Sequence, residues 1–235
     1  MPRSWSLSDF LLVILGGFVG AAIFVGISEA LGEDELFLVL ALGGQYLGHL
    51  VVLWLLSRRK GHPDLGFSIE GRDVLYLGGG LLLQFALAVV FLPLSTLLLP
   101  DGDSAQQVGT ALAGLETTAA RVAAMVTAVV LAPVTEELTF RGVLLKTQEH
   151  RKPRTIMVIT ALVFAIFHLL GLDPGRMLEA AAVVLPQLFI VGLILAWVTM
   201  RTRRLGPAIF IHSGFNLLAA VVLLLPPELL ESVGQ

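Results

Sequence analysis

Apolar residues dominate this chain in seven long runs separated by short polar segments. The runs are Phe10 to Ile27, Leu36 to Leu56, Val74 to Leu99, Thr117 to Lys146, Thr155 to Leu170, Leu178 to Met200 and Pro207 to Leu225. A transmembrane helix needs ~20 predominantly apolar residues, so each run predicts a membrane span. The first is longer than the apolar region of a signal peptide, and further spans follow it, so it reads as a retained helix. The pattern predicts an all-α, polytopic membrane helix bundle of seven spans, or eight if a short or broken helix is added. The chain reads as a single integral membrane domain over residues 1–235, with three N-terminal spans in 1–116. Gly78, Gly79 and Gly80 open the third span, where small residues let helices approach closely. The fourth run exceeds the length a span needs, so it should tilt, kink or protrude.

Composition narrows the class. Hydrophobic residues make up 56% of the 235 positions and charged ones 14%, with a mean hydropathy of +0.89. Soluble domains carry about 25% charged residues. Little chain remains outside the runs, and none of the polar segments is long enough for a soluble domain. The chain has no cysteine, which excludes disulfides, Cys-ligated zinc, iron–sulfur clusters and a cysteine nucleophile. No basic, aromatic-interleaved patch suggests a nucleic-acid partner.

Charge position sets the orientation. With seven spans, Arg3, the loop Ser57 to Asp73, the turn Lys146 to Arg154 and Arg201 to Arg204 fall on one side. They hold 12 of the 15 Lys and Arg. The other side takes Arg121 and Arg176, and the polar loop Asp101 to Gln107. The positive-inside rule then predicts a multi-pass cell-membrane protein with a cytoplasmic N-terminus and an external C-terminus.

Three late spans break the apolar pattern at depth. The fourth contains Ala132 to Leu145, APVTEELTFRGVLL, with Glu136, Glu137 and Arg141. A charge at the bilayer centre costs at least ~2.5–3.5 kcal/mol on insertion scales, so these groups need partners. Glu137 and Arg141 are four apart and share a helix face. Glu136 points about 100° away from them. Pro133 should kink or open the helix by removing its bond to the Val129 carbonyl. The fifth span carries Phe164 and His168, and the seventh His212 and Asn216, each pair again four apart. Counted from the charged ends of their helices, Glu136, His212 and His168 lie ~15, ~12 and ~21 Å deep. All fall in one band around the middle of a core ~30 Å thick. Gln45 and His49 in the second span have the same spacing and read as an interhelical hydrogen bond.

These groups suit hydrolysis. Glu136 can serve as general base, His168 can hold a water against it, and His212 with Asn216 can donate to a developing oxyanion. Ser213 follows His212 without a nucleophile-elbow pattern. A zinc site built from Glu136, His168 and His212 is the competing chemistry, although no H-E-x-x-H motif is present. A proton-coupled transporter would also place Glu, His and Arg at the midplane, but no repeated halves are visible. A non-catalytic immunity or regulatory membrane protein is the third reading.

Taken together, Glu136-Glu137-x-x-x-Arg141, Phe164-x-x-x-His168 and His212-x-x-x-Asn216 resemble the CAAX-processing and bacteriocin-processing (CPBP, or Abi) family of intramembrane proteases, which includes the type II CAAX prenyl endopeptidases. Order, spacing and placement on late spans agree over about residues 117–225, the catalytic core on this reading. The resemblance implies Glu136 as catalytic base, His168 placing the water, and His212 and Asn216 at the oxyanion. Glu137, Arg141 and Phe164 are then supporting residues. It also implies an intramembrane cavity open to the cytoplasm and to lipid. Its substrate would be a membrane-embedded peptide or a lipidated protein, cleaved by a glutamate-activated water with no metal cofactor.

Overall fold

A computed structural model describes residues 4–32, 37–99, 114–172 and 174–224. Arg3, the loop Asp101 to Gln107 and the tail from Leu225 lie outside the described residues. Among those described there are helices and no strand, and seven helices are long and apolar enough to cross a membrane. They are α1 (Leu7–Leu31), α2 (Phe37–Lys60), α3 (Tyr76–Leu98), α4 (Thr118–Thr147), α5 (Pro153–Phe167), α6 (Met177–Thr202) and α7 (Gly206–Leu224). The protein is an all-α, multi-pass membrane bundle.

Small residues decide which helices touch. Gly16 and Gly20 of α1 face Gly44 and Gly48 of α2 so closely that a Cβ on Gly20 would strike the Gly44 carbonyl. Without a hydrophobic driving force in lipid, such backbone proximity is what holds helices together. The same device joins α3 to α7, where a Cβ on Gly80 would meet the Ile211 carbonyl and one on Gly214 the Leu77 carbonyl. Of the three-glycine run, Gly80 makes the approach, and Gly78 and Gly79 face open space.

His49 corrects an expectation. Its imidazole lies against the backbone of Gly17, where α1 has no Cβ. Neither ring nitrogen makes a well-formed hydrogen bond, and none joins it to Gln45. Across the seam the ring meets only the backbone of Ile14, in a weak contact.

The Lys/Arg-rich face is held by polar contacts. Ser6 and Asp9 form a capping box at the start of α1, and Lys60 at the end of α2 reaches Asp9 at 2.9 Å. Arg204 grips the buried Asp73 with two bonds of 2.8 and 3.0 Å. That paired fork raises the Arg204 guanidinium above its ordinary value. The backbone N–H groups of Leu205 and Gly206 donate to the carbonyls of Gly66 and Ser68. The loop after α2 is thereby tied to the α6–α7 turn, and Leu65 packs over Gly142 of α4 beside Leu205.

Candidate active site

The site begins with the local geometry of α4. The helix is continuous, but residues 127–131 and 137–144 have wide, π-type turns. Pro133, with no N–H, sits in the first turn after the earlier one. The expected opening of the helix is therefore a change of winding, not a break. Wide turns of this kind alter which carbonyls are engaged and shift side chains around the axis. The Ala128 carbonyl, inside the first wide turn, accepts a 2.8 Å bond from the Asn216 amide on α7.

Glu136 and Glu137 diverge from the end of the short α segment between the wide turns. Glu137 is fully buried and accepts from Arg141 at 3.0 Å. It also meets Nδ1 of His212 at 3.0 Å. An ionised carboxylate only accepts, so Nδ1 carries the hydrogen and Nε2 is turned outward. Arg141 completes its own set with the Gly192 carbonyl at 3.2 Å, and its guanidinium lies 4.5 Å from the Phe164 ring centroid. Gly192 is required there, because a Cβ would press on the Ala161 backbone of α5.

Glu136 faces the other way. Tyr46 of α2 donates its hydroxyl to Oε1 at 3.2 Å. Oε2 has no hydrogen-bond partner among the described residues and lies 3.8 Å from His212 Nε2. His212 thus stands between the two carboxylates, bonded to the deep one and presented to the shallower one.

Phe164 spaces the histidines. Its buried ring makes edge contacts with His168 at 4.7 Å and with His212 at 5.8 Å between centroids. His168, where α5 gives way to a 3-10 turn, pairs Nδ1 with the Phe164 carbonyl at 2.8 Å, which leaves Nε2 for other partners.

A cavity of about 610 Å³ collects these groups. Glu136, His168, His212 and Asn216 line it, together with Tyr46 and Gln187 among others. Glu137 and Arg141 lie behind the wall, buried. All seven motif residues are therefore in one connected cluster, four at the cavity and three supporting them. Among the described residues no three His, Asp or Glu side chains converge as a metal-binding group. Glu136, His168 and His212, the residues of the zinc alternative, share the cavity.

Tyr46 was not singled out by sequence. It lies 90 positions from Glu136, in the N-terminal spans, and a lone tyrosine on an apolar helix carries no motif. Its only signal is its place between Gln45 and His49, one and three positions away, in a span that already held polar groups.

These features define a polytopic helical membrane protein with a carboxylate–histidine cavity buried at the depth of its spans. Residues 118–218 match the family model of the Rce1-like type II CAAX prenyl endopeptidases, a match consistent with the CPBP family. The match runs from the start of α4 into α7 and contains all three motifs. Comparison with curated proteins and with solved structures gives no match.

Proposed function

We propose that this protein is an intramembrane endopeptidase that hydrolyses a peptide bond of a membrane-associated or lipidated substrate. Glu136 is the general base. One oxygen is held by Tyr46, and the other is free to take a proton from water. That contrast between the two oxygens is the observation that carries the reading. A water bonded to both Oε2 and His212 Nε2 would sit beside the 3.8 Å line joining them. Glu136 removes its proton as the oxygen attacks the carbonyl carbon, and later returns that proton to the leaving amine.

His168, which lines the same cavity, helps place the water. The developing oxyanion is met by the second amide hydrogen of Asn216, whose first is fixed on Ala128, while His212 presents Nε2 as an acceptor that holds the attacking water. Glu137 holds His212 in one tautomer, and Arg141 holds Glu137 in place. No step requires a metal. The mostly apolar lining suits a lipid-soluble chain, and the polar groups of the motifs lie in the same cavity. Screening a fluorogenic peptide library with the purified protein in detergent tests the reading. Cleavage by the parent and none by Glu136→Gln is expected, and equal cleavage by both overturns it.

A further inference from the structure

The seven membrane-spanning helices contain three glutamines, and all three line the cavity: Gln45 from α2, Gln84 from α3 and Gln187 from α6. None belongs to the motifs. Polar residues inside spans usually tie helices together. Neither Gln84 nor Gln187 does so. Gln187 donates from Nε2 to the Val183 carbonyl of its own helix at 3.0 Å. Gln84 buries Oε1 with no hydrogen-bond partner among the described residues. Gly80, four positions earlier on the same face of α3, closely approaches the backbone of Ile211 and Phe215 on α7. Gln84 therefore stands one turn beyond that contact, on the side of α3 turned to the helix that carries His212 and Asn216.

A neutral carboxamide is the side-chain copy of a peptide bond, with an acceptor oxygen and two N–H donors. A peptide entering an apolar cavity loses the water bonds of its main chain, which is costly unless they are replaced. Proteins that hold extended peptides commonly offer a strand edge. Among the described residues there is no strand, and a membrane helix has its own main chain engaged internally. Side-chain amides are the groups left to replace those bonds. We infer that Gln84, Gln187 and Gln45 bind the main chain of a substrate peptide in extended form, with Gln84 Oε1 accepting one of its N–H groups. A helical segment keeps its N–H groups to itself, so the substrate is unwound around the bound stretch. Recognition of this kind reads main chain and tolerates varied side chains. That a bound peptide is also a substrate rests on the proposed peptidase activity; the binding does not.

The probe is a short fluorescein-labelled Leu/Ala peptide with a central Gly-Pro pair, which prevents a helix. Its analogues replace one amide at a time near that pair by an ester, which removes a single N–H. Binding is followed by fluorescence anisotropy on the purified Glu136→Gln protein in detergent, so that turnover does not enter the readout. One ester should bind about fivefold more weakly than the all-amide peptide, as for loss of one hydrogen bond. Adding Gln84→Met, unbranched and of similar length, should weaken the all-amide peptide to the level of that ester and abolish the difference between them. Adding Gln148→Met, which lies outside the cavity, should leave the difference in place. No binding of the all-amide peptide, equal binding of all esters, or a difference that survives Gln84→Met overturns the assignment. So does early melting of Gln84→Met alone, which would make the residue a structural contact. Should the parent protein cleave no peptide in the library screen, the peptidase reading fails while the binding difference still decides this one. Cleavage without the binding difference overturns the carboxamide assignment and leaves the peptidase reading standing.

Discussion

Two places in this bundle bury a histidine with a carboxamide residue four positions away, and they have come to opposite ends. On α2, His49 rests on the glycine seam with α1, and neither ring nitrogen makes a well-formed hydrogen bond. On α7, His212 has one nitrogen on Glu137 and the other presented to Glu136, while Asn216 is anchored to α4. The histidine and its spacing are the same. The neighbouring helix differs: glycines in one case, two carboxylates and an arginine in the other. A buried imidazole becomes a candidate for chemistry through what faces it, since its tautomer and orientation are set by the partner of its second nitrogen.

Substitutions can break that contrast. The largest effect is expected at the cavity carboxylate: Glu136→Gln should lower peptidase turnover by ~10²–10⁴-fold or more, as for loss of a general base. Its melting temperature in detergent should stay near that of the parent. Early melting would instead make Glu136 a structural charge.

Next comes the deep pair. Arg141→Ala strands Glu137, and removing one member of a buried pair typically costs ~3–5 kcal/mol. Thermal stability and activity should both fall. Glu137→Gln with Arg141→Met should recover part of the stability, because no lone charge remains, without restoring turnover. A parental melting curve for Arg141→Ala would show that Glu137 does not depend on it.

Tyr46→Phe removes one hydrogen bond to Glu136. Such a bond to a charged group contributes ~1.5–3 kcal/mol. A fall in kcat of about tenfold or somewhat more is expected, each factor of ten being ~1.4 kcal/mol. An unchanged rate would detach α2 from the chemistry.

The mildest outcome is expected at the other histidine. His49→Leu removes two unpaired buried nitrogens, each costing ~1–3 kcal/mol to leave unsatisfied. Melting should rise or hold, with peptidase rate kept. His212→Leu in the same assay should be inactive, and inactivity of both would erase the distinction between the seams. Exhaustive chelation should change nothing at all; activity lost to chelator and restored by stoichiometric zinc would replace the water-activating role of Glu136 with a metal.

Much of this was legible because membranes are strict. Apolar runs of span length mark helices in any polytopic chain, and charged residues inside them are rare enough to stand out. The four-residue spacings placed Glu137 under Arg141 and His212 beside Asn216 because helix geometry is local. Contacts set by helix packing were not legible. Neither the Tyr46 hydroxyl on Glu136 nor the Gly192 carbonyl on Arg141 has a local cause, since each depends on how distant helices meet. The wide turns of α4 were foreshadowed only by Pro133.

The wide turn at 127–131 also bears on how this chain can change length over time. A π-type turn holds one residue more than the α-helical turn it replaces, so removing one residue there would let α4 rewind as an ordinary helix with the faces on either side kept in register. Removing one residue from the regular α-helical stretch 132–136 would instead rotate all that follows by about 100°. Arg141 would then swing off Phe164. A single-codon deletion in the regular turns of this helix is therefore a rotation of the machinery. The same deletion in the polar connection after α3 would leave every helix face where it was. Insertions and deletions should accordingly be purged from α4 far more severely than substitutions of its lipid-facing residues, such as the exposed Val122, Val126 and Val130.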